Sequence, residues 1–308
     1  MKARLLTLLL CLAPLPALAV EGPFRGADAK QVLEVMPAST TNTAQLQRGS
    51  EVMATIYTRA LDDRNPNWTP ANPHWNDVLN LVHADIYKEV AKVAQSDGSK
   101  FNQDFAAAVA KNLSQKDLDT VIAYYHSDEG QRYRAMVNEI DALVGDSMTT
   151  LQRIAMSGAA PDKPTALNLT AETYAARKRL MELSEGFRIV QSKNGEQHDN
   201  DAQVLKVFLD TTMRYHGDAL DQLSAKYGAD LEHFETFSHS AAANNMFAAV
   251  ASGTSTMLPA IAAMQKKLDD TAQLHAGDWF KFYHEQTGTV PAAPPLKPKA
   301  KAKAKTTP

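Results

Sequence analysis

Nine histidines, a His-Ser-Asp run and two tryptophans in a proline-rich stretch are the residues of this chain best suited to chemistry. Histidines hold a metal on a helix when two of them share a face at i, i+3 or i, i+4, as in HExxH. Here His74 and His83, like His275 and His284, are nine apart and point to opposite sides of a helix. His233 and His239 are six apart and share no face. His126, Ser127 and Asp128 supply the residue types of a nucleophilic triad, but neighbours at one helix break do not reach the geometry of nucleophile, base and orienter. His126 and His239 stand at corresponding helix breaks, where an imidazole serves the last carbonyls of a helix. There is no GxSxG elbow, no SxxK and no glycine-rich phosphate loop. The acid pairs Asp117/Asp119 and Asp62/Asp63 have the residue types of glycoside cleavage, yet solvated helix surfaces carry such pairs routinely. Trp68 and Trp75, in NPNWTPANPHW, are candidates for a ligand-contacting lip. The plainer reading is that two large rings pin a long loop to a bundle.

The C-terminal lysines are the most suggestive charged feature. Lys297, Lys299, Lys301, Lys303 and Lys305 alternate with Ala or Pro in a segment, 288–308, that has no apolar surface to bury. Such a string suits adhesion to anionic envelope polymers or lipid headgroups, at about 1 kcal/mol per lysine near a charged membrane. The formal net charge is −3. It becomes −5 without Lys2 and Arg4, and −10 without the five tail lysines as well. An acidic body with a basic tail argues against nucleic acid as the partner of the fold.

Residues 1–19 read as an export signal. Lys2 and Arg4 are the basic region, Leu5 to Leu12 the apolar region, and Ala17-Leu18-Ala19 the cleavage site. Leu10 precedes Cys11, where a lipoprotein signal carries a small residue. The expectation is a periplasmic or secreted protein cut after Ala19. Cys11 is the one cysteine of the chain. The mature chain is therefore expected to lack disulfides, thiolate nucleophiles and cysteine-bound metals. No other stretch reads as long and apolar enough to span a bilayer, and neither sequence nor spacing asks for a cofactor.

Sparse aromatics, at 7%, abundant alanine and the lack of Val/Ile/Thr alternation predict an all-α fold. The chain is organised around LSQKDLDTVIAYYHSDEGQRYRAM, residues 113–136. Ser114 and Asp117 form a capping-box arrangement, and Leu118, Val121, Ile122 and Tyr125 one buried stripe. Ser127 can cap a second helix carrying Tyr133, Met136, Val137, Ile140, Val144, Met148, Leu151 and Ile154 in phase. Earlier helices are expected over 27–36, over 45–61 with Val52, Met53, Ile56 and Ala60 inward, over 77–94, and over 101–111 beyond a stop at Asp97-Gly98. Later ones are expected from Thr170 to Val190, and from Val204 to Tyr227 with a kink near Gly217.

Ser114, Leu118, Tyr124-Tyr125, Ser127, Gly130 and Gln131 resemble the pattern of the bacterial domain of unknown function 2059. The resemblance covers roughly the hundred residues before Pro161, a typical single-domain length. That family usually has Pro after the Ser at the break, where this chain has Asp128. The resemblance implies an exported, all-helical protein, and it brings no catalytic residues because that family has no agreed active site.

The central stretch recurs. Asp230 to Ser240 lies over Asp117 to Ser127 at an offset of 113 residues, with an aromatic at Tyr124/Phe237 and His-Ser in register. Two degenerate copies of one helical module follow, over 20–160 and 161–287, with the best boundary at 158–168. The second copy has Ala243 for Gly130 and Glu235 for Ile122, so its packing must differ.

The leading functional reading is a non-catalytic exported binding protein of the cell envelope. Its rival is a hydrolase whose His and acid residues come from separate helices. A third is a carrier of small apolar molecules with a cavity lined by Met246, Met257 and Met264, though these serve equally as ordinary core.

Overall fold

Well-placed caps set the helix starts. Ser114 Oγ accepts the Asp117 N–H at 3.1 Å, Ser127 Oγ the Gly130 N–H at 3.0 Å, and Thr170 Oγ1 the Thr173 N–H at 3.2 Å. Each hydroxyl satisfies a first-turn donor that the helix itself cannot. The computed structural model describes residues 26–35, 43–157, 169–191 and 199–288. In chain order their helices are α1 (Ala29–Val35), α2 (Thr43–Ala60), α3 (Trp75–Ala110), α4 (Gln115–His126) and α5 (Asp128–Ser157). After residues 158–168 come α6 (Ala171–Met181), α7 (Glu185–Gln191), α8 (Asp199–Tyr227), α9 (Leu231–Ser238) and α10 (Ala241–Thr287). Among the described residues the one β-type pairing is an isolated bridge from Gly26 to Ser114. The chain is all-α. The export signal, the boundary at 158–168 and the five tail lysines lie outside the described residues.

Several sequence expectations need correction. The stop at Asp97-Gly98 does not occur: α3 is one helix of 36 residues with Gly98 buried inside it. A glycine costs an interior helix only about 1 kcal/mol. Here packing along α10 carries the helix through. The buried face of α2 is only partly the expected one. Val52 is buried as expected, but Ser50, Ala54, Thr55 and Thr58 are buried with it while Met53 and Ile56 are half-buried and Ala60 is exposed, because α2 is sandwiched between α3 and α5 and small polar side chains fit there. Thr55 returns its hydroxyl to Glu51 O at 2.9 Å, which lets a polar group sit inside. The helix expected from Thr170 to Val190 is broken by a turn at 182–184. In α8 the kink falls at His216, beside the expected Gly217, with φ −131° and ψ 27°. Before the kink α8 buries Leu209, Thr211, Thr212 and Met213 and leaves Val207 and Tyr215 exposed.

The last correction concerns α10. By length and composition alone it could cross a membrane, its best window having a mean hydropathy of 1.4 with 33% of it buried. No charged residue occurs from Ala241 to Gln265, but Asn, Ser and Thr scattered through the run hide it from a simple reading.

Two buried clusters result. The central one joins Leu118, Tyr125, Tyr133 and Ile140 to Leu180, Phe187, Leu220, Phe234 and Phe247, so residues from both sides of 158–168 share one core. The distal one holds Trp68, Trp75, Val78, Val82, Trp279 and Tyr283. α3 and α10 run antiparallel through both. Gly253 meets Phe105 and Val109, Lys267 pairs with Asp97 at 2.9 Å, and Trp279 reaches Asp85.

Candidate functional site

The tryptophan loop is a clamp in its own right. Trp68 and Trp75 are 0% and 1% exposed, with ring centroids 5.1 Å apart. Trp68 meets Tyr283 edge-on at 4.7 Å and donates its indole N–H to Thr58 O at 2.7 Å. Arg59 gathers the loop from beneath, donating to Asn65 O at 3.0 Å, to Asp63 O at 3.1 Å and to Trp68 O. Three aromatic donors then tie α10 to α2, the turn after it and α3. Tyr57 donates to Asp269 at 2.7 Å, Trp279 to Asp85 at 2.8 Å and Tyr283 to Asp62 at 2.6 Å. Burial, reinforced by the hydrogen bond to Asp269, pushes the Tyr57 phenol well above its ordinary value. Neither tryptophan presents a ring to solvent, so the lip expected at Trp68 and Trp75 is not formed.

His126 is the last residue of α4 and His239 the residue after α9, and both are exposed. The His239 ring donates from Nδ1 to Glu235 O at 2.8 Å, capping its own helix. The His126 carbonyl accepts from Gln131 Nε2 at 3.4 Å, and the His239 carbonyl from Asn244 Nδ2 at 3.0 Å. These two bonds join residues that correspond at the offset of 113.

The same offset relates contacts between the halves. Tyr124 and Phe237 stack face to face, with centroids 3.6 Å apart and planes inclined by 12°. Arg132 of α5 pairs with Asp230 before α9, while Asn245 of α10 donates to Asp117 of α4 at 3.0 Å. Residues 132 and 245 correspond, as do 117 and 230, so each half offers the same two positions to the other. α3 packs on α10, and α8 packs on α5. Glu235, which stands where the first stretch has Ile122, is engaged by both nitrogens of an Arg179 fork, Nη2 at 2.6 Å. That fork holds its carboxyl below the usual range.

The densest convergence of ionisable groups lies where the halves meet, and sequence reasoning missed it. Asp141 of α5 accepts from the Ser184 hydroxyl and from the N–H groups of Glu185 and Gly186. Glu185 opens α7 and accepts the Tyr125 hydroxyl at 3.3 Å. Burial, then the charge of Asp141, pushes Glu185 up to about 7. Burial pushes Asp141 up to about 6 against its three hydrogen bonds. Tyr133 is fully buried beside them, its hydroxyl without a hydrogen-bond partner, and burial followed by the charge of Glu185 raises it well above its ordinary value. The available signal was phase: Asp141 falls four residues after Val137 and beside Ile140, on the margin of the apolar stripe. Nothing in the sequence marks Glu185.

Chemically, a carboxyl held near neutrality next to a second acid and two phenols can exchange protons at physiological pH. Among the described residues no group of three or more His, Cys, Asp or Glu is arranged to hold a metal ion. Met246 and Met257 are buried in helix packing. No protein-family model, curated protein or solved structure matches the chain.

Proposed function

We propose that this chain is an exported, non-catalytic interaction protein of the cell envelope, built from two copies of one helical module that clasp each other. Residues 1–19 supply the route of export to the periplasm, and the stretch around Ser114 and Ser127 aligns the first copy with the family of domain of unknown function 2059. Support for two copies comes from the reciprocal pairs Arg132–Asp230 and Asn245–Asp117, with Tyr124 on Phe237 between them. The observation that carries the non-catalytic reading is the employment of the reactive side chains. Trp68 and Trp75 are interior struts, His239 caps its own helix, and Asp141 caps α7. The partner-facing element is the lysine tail, which binds an anionic envelope component.

Co-sedimentation with vesicles of anionic lipid tests the tail. The full chain pellets at low salt and is released at high salt, whereas a chain ending at Leu296 stays in the supernatant. Equal pelleting of the two at low salt removes the tail as the binding element.

One observation favours a second reading, a hydrolase. Asp141 and Glu185 form an acid pair with raised proton affinity, a property that gathers at acid–base centres. Hydrolysis of a chromogenic ester or glycoside by the purified chain, lost in a folded Glu185→Gln variant, would establish it.

A further inference from the structure

α7 is short, and it is held from outside. Its first N–H groups have no partner within the helix, and the Asp141 carboxylate of α5 takes those of Glu185 and Gly186 together with the Ser184 hydroxyl. Glu185 sends its carboxyl back toward α4, where Tyr125 donates to it. Tyr125 and Tyr133 wall this contact and are 4% and 0% exposed. One turn along α7, Arg188 reaches the other way. Its Nη2 donates to Ser238 O at 2.8 Å and Asn244 Oδ1 at 2.7 Å, and its guanidinium lies 5.7 Å from the Phe247 ring centre. α7 therefore bridges α4 and α5 on one side and α9 and α10 on the other.

The groups facing the acid pair can be named from each neighbouring element. α4 presents Tyr125, and α5 presents Tyr133, Arg134 and Asp141 itself. α7 presents Arg188, which is turned toward α9 and α10. α9 and α10 contribute the Ser238 carbonyl, Asn244 and Phe247, none of which ionises. Arg134, which also lies 5.0 Å from the Tyr125 ring centre, is the cation that favours an ionised Glu185. Its pull is weaker than burial and the repulsion from Asp141 combined. Two carboxyls brought together in a part-buried contact repel when both are charged.

We propose that the Asp141–Glu185 pair is a proton-dependent latch on α7. A proton held by the pair seats α7 against α4 and α5. Its loss loosens α7 and, with it, the Arg188 contacts to α9 and α10. The sign follows from linkage. Both carboxyls have folded values above those of the unfolded chain, at about 7 and about 6. The folded state therefore holds the extra proton, and the pair's contribution is complete below the ordinary carboxylate range. That contribution is lost as pH rises through the folded values.

Amide hydrogen exchange on the full chain, corrected for intrinsic rates, tests this at about pH 5.5 and about pH 8. The protection of α7 amides is expected to fall by about tenfold or more over that interval relative to those of α3. Glu185→Gln is expected to shrink that fall to the smaller share that Asp141 carries. Parallel behaviour of α7 and α3 in the wild type overturns the latch, and so does a wild-type fall in Glu185→Gln. Carbon-13 titration of the side-chain carboxyls gives the answer with no variant at all. Midpoints near those two values support the latch, and both lying below about pH 5 overturn it.

Discussion

Tyr125 joins several elements of the central core. Its ring packs on Phe237 and Tyr133, Arg134 covers it, and its hydroxyl reaches Glu185. Tyr125→Ala opens a cavity where both halves meet and should cost about 3–5 kcal/mol in denaturant unfolding. Ser114→Ala removes one cap and should cost about 1 kcal/mol. A silent Tyr125→Ala would mean that α4 buries a different face. Both residues were legible in the sequence because a cap and a stripe are local patterns. Asp141 and Glu185 were not, since the Ser184 contact to Asp141 spans 43 residues and no spacing rule connects them. The polar interior of α2 was hidden for a related reason. Hydrophobicity marks a face buried against one neighbour, whereas α2 lies between two helices and uses Ser50, Thr55 and Thr58 as small spacers.

At the scale of elements, the corner between α4 and α5 decides how the central helices meet. A Cβ at Gly130 would stand 1.8 Å from Tyr124 O and 2.9 Å from the Tyr125 Cα, both backbone atoms that cannot turn aside. Gly130→Ala should therefore destabilise by about 3 kcal/mol or more, with the loss visible in the urea midpoint. The corresponding position in the second half is already Ala243, which is buried without such a penalty. Ala243→Gly is expected to cost only about 1 kcal/mol, the usual helix penalty. Helix starts were readable where a neighbouring side chain made them, at Ser114, Ser127 and Thr170. An end was misread where packing overrode a weak local signal, as at Gly98 in α3. The turn at 182–184 was missed because Asp141, far away in the chain, provides the cap that starts α7.

For the whole molecule, the sequence suggested two modules in series, and the contacts describe a crossed arrangement. α3 lies against α10 and α8 against α5, while α2 packs on both α3 and α5. Periodicity marks a buried helix face, but it holds no information on which other helix that face will meet. This crossing ties the distal cluster, which contains all three tryptophans, to the central one through α3 and α10. Equilibrium unfolding in urea, followed at once by tryptophan fluorescence and far-ultraviolet circular dichroism, tests the arrangement most directly. Interlocked halves require the two curves to superimpose with one midpoint. Two separated transitions, the fluorescence change preceding or trailing the loss of helix, would show that the halves stand independently and would contradict the account.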